Sequence, residues 1–333
     1  MKSHFLKRLL LVSVVLSILL AGVMFLGISI GSTGSNFGDA LRLLLMNKST
    51  DSVLEAIIWR IRLPRVILAA LIGATLSLGG LVFQALLRNP LAEPYILGIS
   101  GGSAIGAILG IILGLSYFPG VSIMAFTGSI ATLILLLVMS PGQTVFKKDS
   151  LLLSGVMVNA FCSAVIMFLI SMTRDARLHN IIFWLMGDLS SADIGKVGIL
   201  AVALFPCFIL LFWLSNIMNL LLMGRDMAQT MGVNIKIVTV TLLVVTSFMV
   251  SATVSYCGLI GFVGLVIPHL FRIILGPDHR ILVPACVLGG GAYMVVCDLL
   301  AKILPTQGEM PAGVVTALIG APFFIYLLKR SGQ

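Results

Sequence analysis

Residues 88–102 hold the most suggestive chemistry in this chain. A polar loop with two prolines runs into an apolar segment that contains three glycines. In a soluble protein, the backbone N–H groups of such a loop can cradle phosphate. In a membrane protein, the same residues can form a turn followed by a closely packed helix. The surrounding elements decide between the two.

Apart from residues 88–102, the sequence contains no motif that indicates nucleotide binding. A P-loop of the form G-x-x-x-x-G-K-[ST] does not occur. Gly195-Lys196 comes nearest, but it lacks the leading glycine and is followed by Val197. ATP binding through a P-loop is therefore excluded. We expect no enzymatic activity in this chain, and if ATP is used, a partner subunit hydrolyses it.

The sequence also lacks a recognisable metal site and a recognisable ion-coupling site. The five cysteines and four histidines are scattered without ligand spacing, so we interpret the cysteines as small core residues. An ion-coupled carrier usually needs an ionisable residue near the bilayer midplane. Asp298 lies instead near the end of an apolar run, and Lys302 follows one helical turn later, which predicts a local ion pair. No metal or cofactor is expected.

Composition places the chain in a membrane. Of its 333 residues, 59% are hydrophobic and 10% are charged, with a mean hydropathy of +1.16. Soluble domains carry about 25% charged residues. The apolar runs are about 20 residues long, which matches a bilayer. We predict an all-α polytopic membrane protein with one transmembrane domain over residues 1–333 and no nucleic-acid partner. About ten spans are expected, at 9–30, 63–86, 95–114, 119–140, 151–171, 197–215, 236–256, 258–275, 281–303 and 311–328.

The topology follows from the number of spans and from the loop charges. The first apolar run, 9–30, exceeds a signal-peptide core, so we expect it to remain as a helix. An even number of spans puts both termini on one side. With the termini inside, twelve Lys and Arg residues lie on the inner side and nine on the outer side. The positive-inside rule therefore favours cytoplasmic termini.

Two connecting segments are predicted to form short helices. In the inner segment 216–234, Asp226 can cap a stubby helix and Gly232 can end it in the left-handed conformation. An ordinary capped loop is the alternative. The outer segment 172–193 is too short to span and rich in interfacial residues, which indicates a helix near the outer mouth. There we interpret Trp184 as an interface anchor rather than a cargo contact.

Several motifs, in order along residues 55–330, resemble the FecCD permeases. These are the membrane subunits of ABC importers for iron–siderophore complexes, haem and vitamin B12. The matching motifs are Arg62-Leu63-Pro64-Arg65, Asn89–Pro94, Gly258–His269, Asp278-His279-Arg280 and Pro311–Pro322.

The resemblance implies a type II ABC importer permease fold in the bacterial inner membrane. Its implied partners are a second copy in a homodimer, two ABC ATPase subunits, a substrate-binding protein and membrane lipid. Cargo would pass along the dimer interface. An iron(III) chelate, either a siderophore complex or haem, is the expected cargo, and vitamin B12 is the alternative. A stand-alone secondary carrier or channel is the alternative from a different class.

The resemblance also implies roles for three groups of residues. ATPase coupling falls to Arg225, Asp226, Ala228, Met231 and Gly232. Binding-protein docking falls to Arg62, Arg65 and Lys302 through exposed ion pairs, with snorkelling at helix ends as the alternative. The inner gate falls to Asn89, Leu91, Lys148 and Asp149.

The last two gate residues depart from the vitamin B12 permease of the family, which has small hydroxylated residues at this place. Lys148 and Asp149 would either form a charged constriction or face water. This departure makes vitamin B12 the second choice of cargo.

The predicted spans now give residues 88–102 a structural context. No predicted strand precedes its glycines, so the phosphate-loop interpretation fails. The polar part becomes an inner turn between the second and third spans. Gly102 and Gly106 form a small-xxx-small pair suited to close helix packing.

Overall fold

The computed structural model of the protein describes residues 2–30, 52–139, 148–305 and 308–331. The loop charges compared above include residues in 31–51 and 140–147, which lie outside this description. The described α-helices are α1 (Lys2–Ser29), α2 (Ser52–Ile57), α3 (Leu63–Leu87), α4 (Ile99–Ile112), α5 (Ser122–Met139), α6 (Lys148–Ser171), α7 (Asp175–Met186), α8 (Ile194–Trp213), α9 (Ser215–Met223), α10 (Arg225–Thr230), α11 (Ile235–Cys257), α12 (Val263–Leu275), α13 (His279–Ile303) and α14 (Ala312–Ser331). Three short helical segments of other types lie between them. Two are π-helices, Ile58–Arg62 and Tyr117–Val121, and one is a 3₁₀-helix, Pro94–Leu97.

The helices reproduce the predicted spans. Within the described residues, seven helices are long and apolar enough to cross a membrane, and three shorter apolar helices, at Ile99–Ile112, Val263–Leu275 and Ala312–Tyr326, complete the set. All ten overlap predicted spans, and the largest differences are three starts, at His4, Glu55 and Val263 rather than at residues 9, 63 and 258. The all-α polytopic fold is thereby confirmed.

Short polar side chains set several helix starts. Asp193 accepts hydrogen bonds from Gly195 N and Lys196 N at the start of α8. The Asn234 side chain accepts a hydrogen bond from Ile237 N at the start of α11. The Asp278 side chain accepts one from Arg280 N at the start of α13. Each side chain satisfies a backbone N–H that has no partner within its helix. These polar positions divide the apolar sequence into separate helices.

Helix α3 forms the centre of the molecule and is buried along most of its length. Helix α13 packs along it, and α1 lies outside α13. Helices α4 and α5 pack at the predicted small-xxx-small pair, where a side chain on Gly102 or Gly106 would collide with the backbone of α5. The close-packing prediction is confirmed, because only glycine lets these backbones approach so closely.

The molecule has two ends. At the first, Phe5 of α1 lies under Arg280, and Phe324 of α14 contacts His269 of α12. We call this the termini end. At the other, Arg62 donates hydrogen bonds to the last carbonyls of α1, at Ile28 and Ser29. We call this the opposite end.

Candidate functional site

An unwound segment, residues 258–262, interrupts the helices between α11 and α12. Phe262 holds a left-handed φ of 68°, and its N–H donates to Glu93 Oε1 at 2.7 Å. The Tyr95 hydroxyl donates to Ile260 O at 2.8 Å and accepts from Ile260 N at 3.1 Å. Backbone groups released from helical pairing inside a membrane need such partners. The loop after α3 therefore holds the unwound segment in place.

Glu93 performs this task from a partly buried position. Burial raises the pKa of its carboxyl, and the hydrogen bond from Phe262 N–H opposes the shift without cancelling it. The Arg88–Pro94 motif thus has a structural role that spacing alone did not reveal. It connects the turn at the end of α3 to a segment more than a hundred residues later.

A cavity of about 650 Å³ lies against the unwound segment. Its wall combines the end of α7, the unwound segment and one face of α14. The lining is apolar apart from the Tyr95 side chain, with Leu185, Met186, Leu259, Gly261, Gly313, Val314, Ala317, Leu318, Ala321 and Pro322 around it.

Glycine permits the close contacts that build this wall. Gly258 has a φ of 73°, and any side chain there would collide with Trp184 O. Gly313 N donates to Gly187 O at 3.3 Å, which joins the start of α14 to the end of α7. The predicted short helix in the 172–193 segment is confirmed as α7. The prediction that Trp184 anchors at the membrane interface is wrong, because it is 1% exposed and packs in the core.

The segment 216–234 forms α9 and α10 at the termini end. Gly232 ends α10 with a φ of 86°, as predicted. Asp226 is not the cap: Gly224 takes that position with a φ of 126°, and Asp226 lies in the first turn. There its carboxylate faces the positive end of the helix dipole. Ala228 is buried, whereas the side chains of Met227 and Met231 are 55% and 60% exposed. For Arg225, the backbone alone is described.

Asn219 ties this segment to the start of α13. Its Nδ2 donates to Asp278 Oδ1 at 2.8 Å, and its Oδ1 accepts from His279 N at 2.8 Å. Asp278 also forms an ion pair with Arg280 at 2.6 Å, and the Arg280 guanidinium lies 4.2 Å from the Phe5 ring. These contacts therefore connect α9 to the start of α13 and, through Arg280, to α1. Residue spacing did not predict this contact, because its partners are about 60 residues apart.

The residues assigned to the inner gate lie in two neighbouring elements. Asn89 Oδ1 accepts from Leu91 N at 2.9 Å, which closes the turn after α3, and the Leu91 side chain is 42% exposed. Helix α6 contacts the Pro94–Leu97 turn at Gly155. Lys148 and Asp149 belong to the first turn of α6, and their side chains lie outside the described part of the structure.

The residues assigned to docking lie together at the opposite end, but they are buried. Arg62 is 6% exposed and Arg65 is 5% exposed, so the expectation of exposed arginines is wrong. Arg62 donates to the end of α1, and Arg65 Nε donates to Asp298 Oδ1 at 2.9 Å. The predicted pair of Asp298 with Lys302 is confirmed at 2.7 Å. Sequence spacing found this local pair but missed Arg65, because 233 residues separate it from Asp298.

A metal site does not emerge from the described residues, where no group of three or more His, Cys, Asp or Glu side chains could hold an ion. The described residues instead form three candidate functional regions. These are an apolar cavity wall, a hydrogen-bonded segment at the termini end, and a buried ionic cluster at the opposite end.

Comparison with known proteins gives this arrangement a family. A sequence model of the FecCD transport family matches residues 13–330. The vitamin B12 import system permease protein BtuC of Salmonella arizonae is 38% identical over 279 residues, covering 84% of each chain. The BtuC protein of Salmonella typhi is 37% identical over 281 residues, covering 84% of this chain and 85% of its own.

Solved structures agree with the sequence comparison. An inward-facing structure of an ABC transporter assigned to the metal-chelate type superposes with a TM-score of 0.85 at 32% identity, covering 96% of this chain and 98% of that one. PsaBC from Streptococcus pneumoniae, in complex with Fab, superposes with a TM-score of 0.55 at 16% identity and covers 82% of this chain and 93% of its own. The second likeness concerns the fold alone. The chain belongs to the FecCD transport family and is a multi-pass membrane permease of an ABC importer.

Proposed function

We propose that residues 1–333 form a single transmembrane permease domain in the bacterial inner membrane, and that its cargo is a metal chelate. An iron(III)–siderophore complex or haem is the first candidate. The apolar cavity wall between α7, the unwound segment and α14 carries this proposal. A metal that arrives already chelated suits such a wall, whereas a bare cation needs coordinating oxygen, nitrogen or sulfur atoms.

Vitamin B12 is the second candidate cargo. The names of the relatives at 37–38% identity favour it. It is also a bulky chelate, so the same wall suits it. The charged pair Lys148 and Asp149, at the place where the vitamin B12 permease has small hydroxylated residues, is the reason for preferring an iron chelate.

The transport path is proposed to run between two copies of the chain. The cavity is open on one side, and Leu318, which lines it from α14, is 63% exposed. A second copy facing this side would complete the wall and cover the exposed apolar surface. Two ABC ATPase subunits would supply the energy, since the sequence contains no P-loop.

Coupling to these ATPases is assigned to the termini end, which is proposed to face the cytoplasm. The exposed side of α10 presents Asp226, Met227 and Met231, followed by the open left-handed turn at Gly232. An ATPase that moves α10 would also move α13 through Asn219. In the same proposal, the turn at Asn89 and Leu91 and the start of α6 at Lys148 and Asp149 border the inner gate.

Docking of a substrate-binding protein is assigned to the opposite end. Arg62, Arg65 and Lys302 supply the positive charge there, although Arg65 and Lys302 already contact Asp298. Their role is therefore to form ion pairs with acidic side chains of the binding protein from within a preformed cluster, rather than to offer freely exposed cations. Such electrostatic contacts contribute more to orientation and association rate than to affinity.

Reconstitution into proteoliposomes tests the proposal. We expect uptake of a ferric siderophore, haem or cyanocobalamin only when the permease is combined with its ATPase, its binding protein and ATP. The permease alone, given a proton or sodium gradient, should transport none of them. Gradient-driven uptake by the chain alone would instead establish the secondary carrier. Competition among the three cargoes then ranks the candidates.

A further inference from the structure

A four-membered ionic cluster closes the opposite end of the protein. Asp298 on α13 pairs through one oxygen with Arg65 Nε at 2.9 Å and through the other with Lys302 Nζ at 2.7 Å. Arg65 reaches further, and its Nη1 pairs with Glu309 Oε2. The cluster therefore joins α3, α13 and the segment that leads into α14.

The four side chains differ sharply in exposure. Those of Arg65, Asp298 and Lys302 are 6%, 1% and 9% exposed, whereas that of Glu309 is 43% exposed. The three buried groups are committed to one another, because removing one partner leaves the charge of the other buried and uncompensated. Glu309 pairs with Arg65 at the protein surface, where an ion pair contributes little to stability.

The charges of the cluster depend on Glu309. With it, two positive and two negative groups cancel. Without it, the cluster carries one net positive charge, and Arg65 Nη1 has lost its carboxylate. An acidic side chain that approaches this surface therefore competes with Glu309 for Arg65 Nη1.

We propose that Glu309 is an internal competitor, which occupies the place on Arg65 that a carboxylate of the docked substrate-binding protein takes. This inference rests on the docking role proposed above. The exchange replaces one carboxylate with another, so Arg65 keeps an ion pair throughout and its buried contact with Asp298 is not disturbed. Glu309 moves into water, where its charge is solvated. Competition from Glu309 thereby lowers the affinity of docking below the value that Arg65 alone would give.

The test is the affinity of the binding protein for the complete permease–ATPase complex in nanodiscs. The probe is the purified binding protein whose addition stimulates ATP hydrolysis by that complex. We expect Glu309→Gln to tighten binding about two- to fivefold, the factor that corresponds to one surface ion pair. The gain should shrink as salt increases, because it is electrostatic.

Two variants control for simpler effects. Glu55→Gln removes one negative charge from an exposed residue of α2 near the same end, and it should leave the affinity unchanged. Glu309→Asp keeps the charge and should stay close to the wild-type affinity. A tightening by Glu55→Gln equal to that by Glu309→Gln would overturn the proposal, because net charge alone would then explain both. Unchanged or weaker binding by Glu309→Gln would overturn it as well.

Arg65→Gln separates this inference from the docking role itself. Gln is preferable to charge reversal, because a carboxylate at this buried position would face Asp298. In complexes that assemble normally, Arg65→Gln should weaken binding and abolish the gain from Glu309→Gln. Wild-type binding by Arg65→Gln refutes docking through this cluster. Weakened binding by Arg65→Gln with no gain from Glu309→Gln refutes the competitor alone.

Discussion

Gly232 shows how one residue can leave a surface open for a partner. Its φ of 86° lies in the left-handed region, and a Cβ built on it meets nothing within 4 Å. A Cβ there would cause no collision within the described part of the permease, and the expected cost is the backbone strain, about 1–2 kcal/mol. Any large functional effect must then come from what the side chain does to a partner.

We therefore predict that Gly232→Arg abolishes ATP-driven uptake while the protein still reaches the membrane in normal amount. The bulky cation would occupy the surface proposed to contact the ATPase. Uptake into vesicles and co-purification of the ATPase are the measurements.

Gly114→Arg is the matched control for this variant. Gly114 also has a positive φ, 73°, and open space, with Arg177 Nη2 at 3.8 Å as the nearest atom. It lies at the end of α4, away from α10, so the backbone strain is similar but the surface is different. Normal uptake with Gly232→Arg, or an equal loss with Gly114→Arg, would contradict the coupling role.

At the scale of elements, Asp278 joins α9, α13 and, through Arg280, α1. Burial alone would raise the pKa of its carboxyl, but hydrogen bonds from Arg280 and Asn219 outweigh this effect and lower the pKa to about 2. The usual value is 3.8. Because the folded-state pKa is depressed, the unfolded chain binds a proton first as the pH falls. The stabilisation is full above about pH 4 and is lost as the pH falls towards about 2.

We predict that Asp278→Asn lowers the thermal midpoint of the detergent-solubilised protein near neutral pH. Asn keeps an oxygen that can cap α13, so the variant removes mainly the charge. The difference from wild type should narrow as the pH falls from about 4 towards 2, since protonation makes the wild-type carboxyl neutral as well. A difference that is constant with pH would show that the ion pair contributes nothing.

The whole molecule connects its two ends through α13. This helix has 25 residues and so extends about 37 Å. Its start is bound to α9 through Asn219, and near its end it holds Asp298 and Lys302. It also packs along the central helix α3. One helix therefore connects the termini end with the ionic cluster.

The proposed homodimer leads to a further prediction at this scale. In a background without the native cysteines, Leu318→Cys should crosslink two copies through a short bifunctional maleimide. This residue lines the open side of the cavity on α14 and is 63% exposed. Val202→Cys on α8 is 76% exposed but lies away from the cavity, so it should remain uncrosslinked. Equal crosslinking at both positions, or none at Leu318, would contradict an interface along α14.

Local sequence was a good guide wherever the deciding contact lies within a few residues. The spans follow from apolar length, the left-handed end of α10 follows from Gly232, and the Asp298–Lys302 pair follows from helical spacing. The same reasoning failed for Asp226 and Trp184. Gly224 competes for the cap of α10, and the fold draws Trp184 into the core beneath the unwound segment.

By itself, the sequence determined that the protein lies in a membrane, the approximate number of spans and the transport family, because these depend on composition, on the length of the apolar runs and on ordered motifs. Tertiary structure decided what the charged and polar residues contact. Glu93 holds residues 258–262, Asn219 holds the start of α13, and Arg65 is shared by Asp298 and Glu309. These partners are separated by 60 to 244 residues. In an apolar interior each polar group must find a partner, and the packing of the helices determines which one lies within reach.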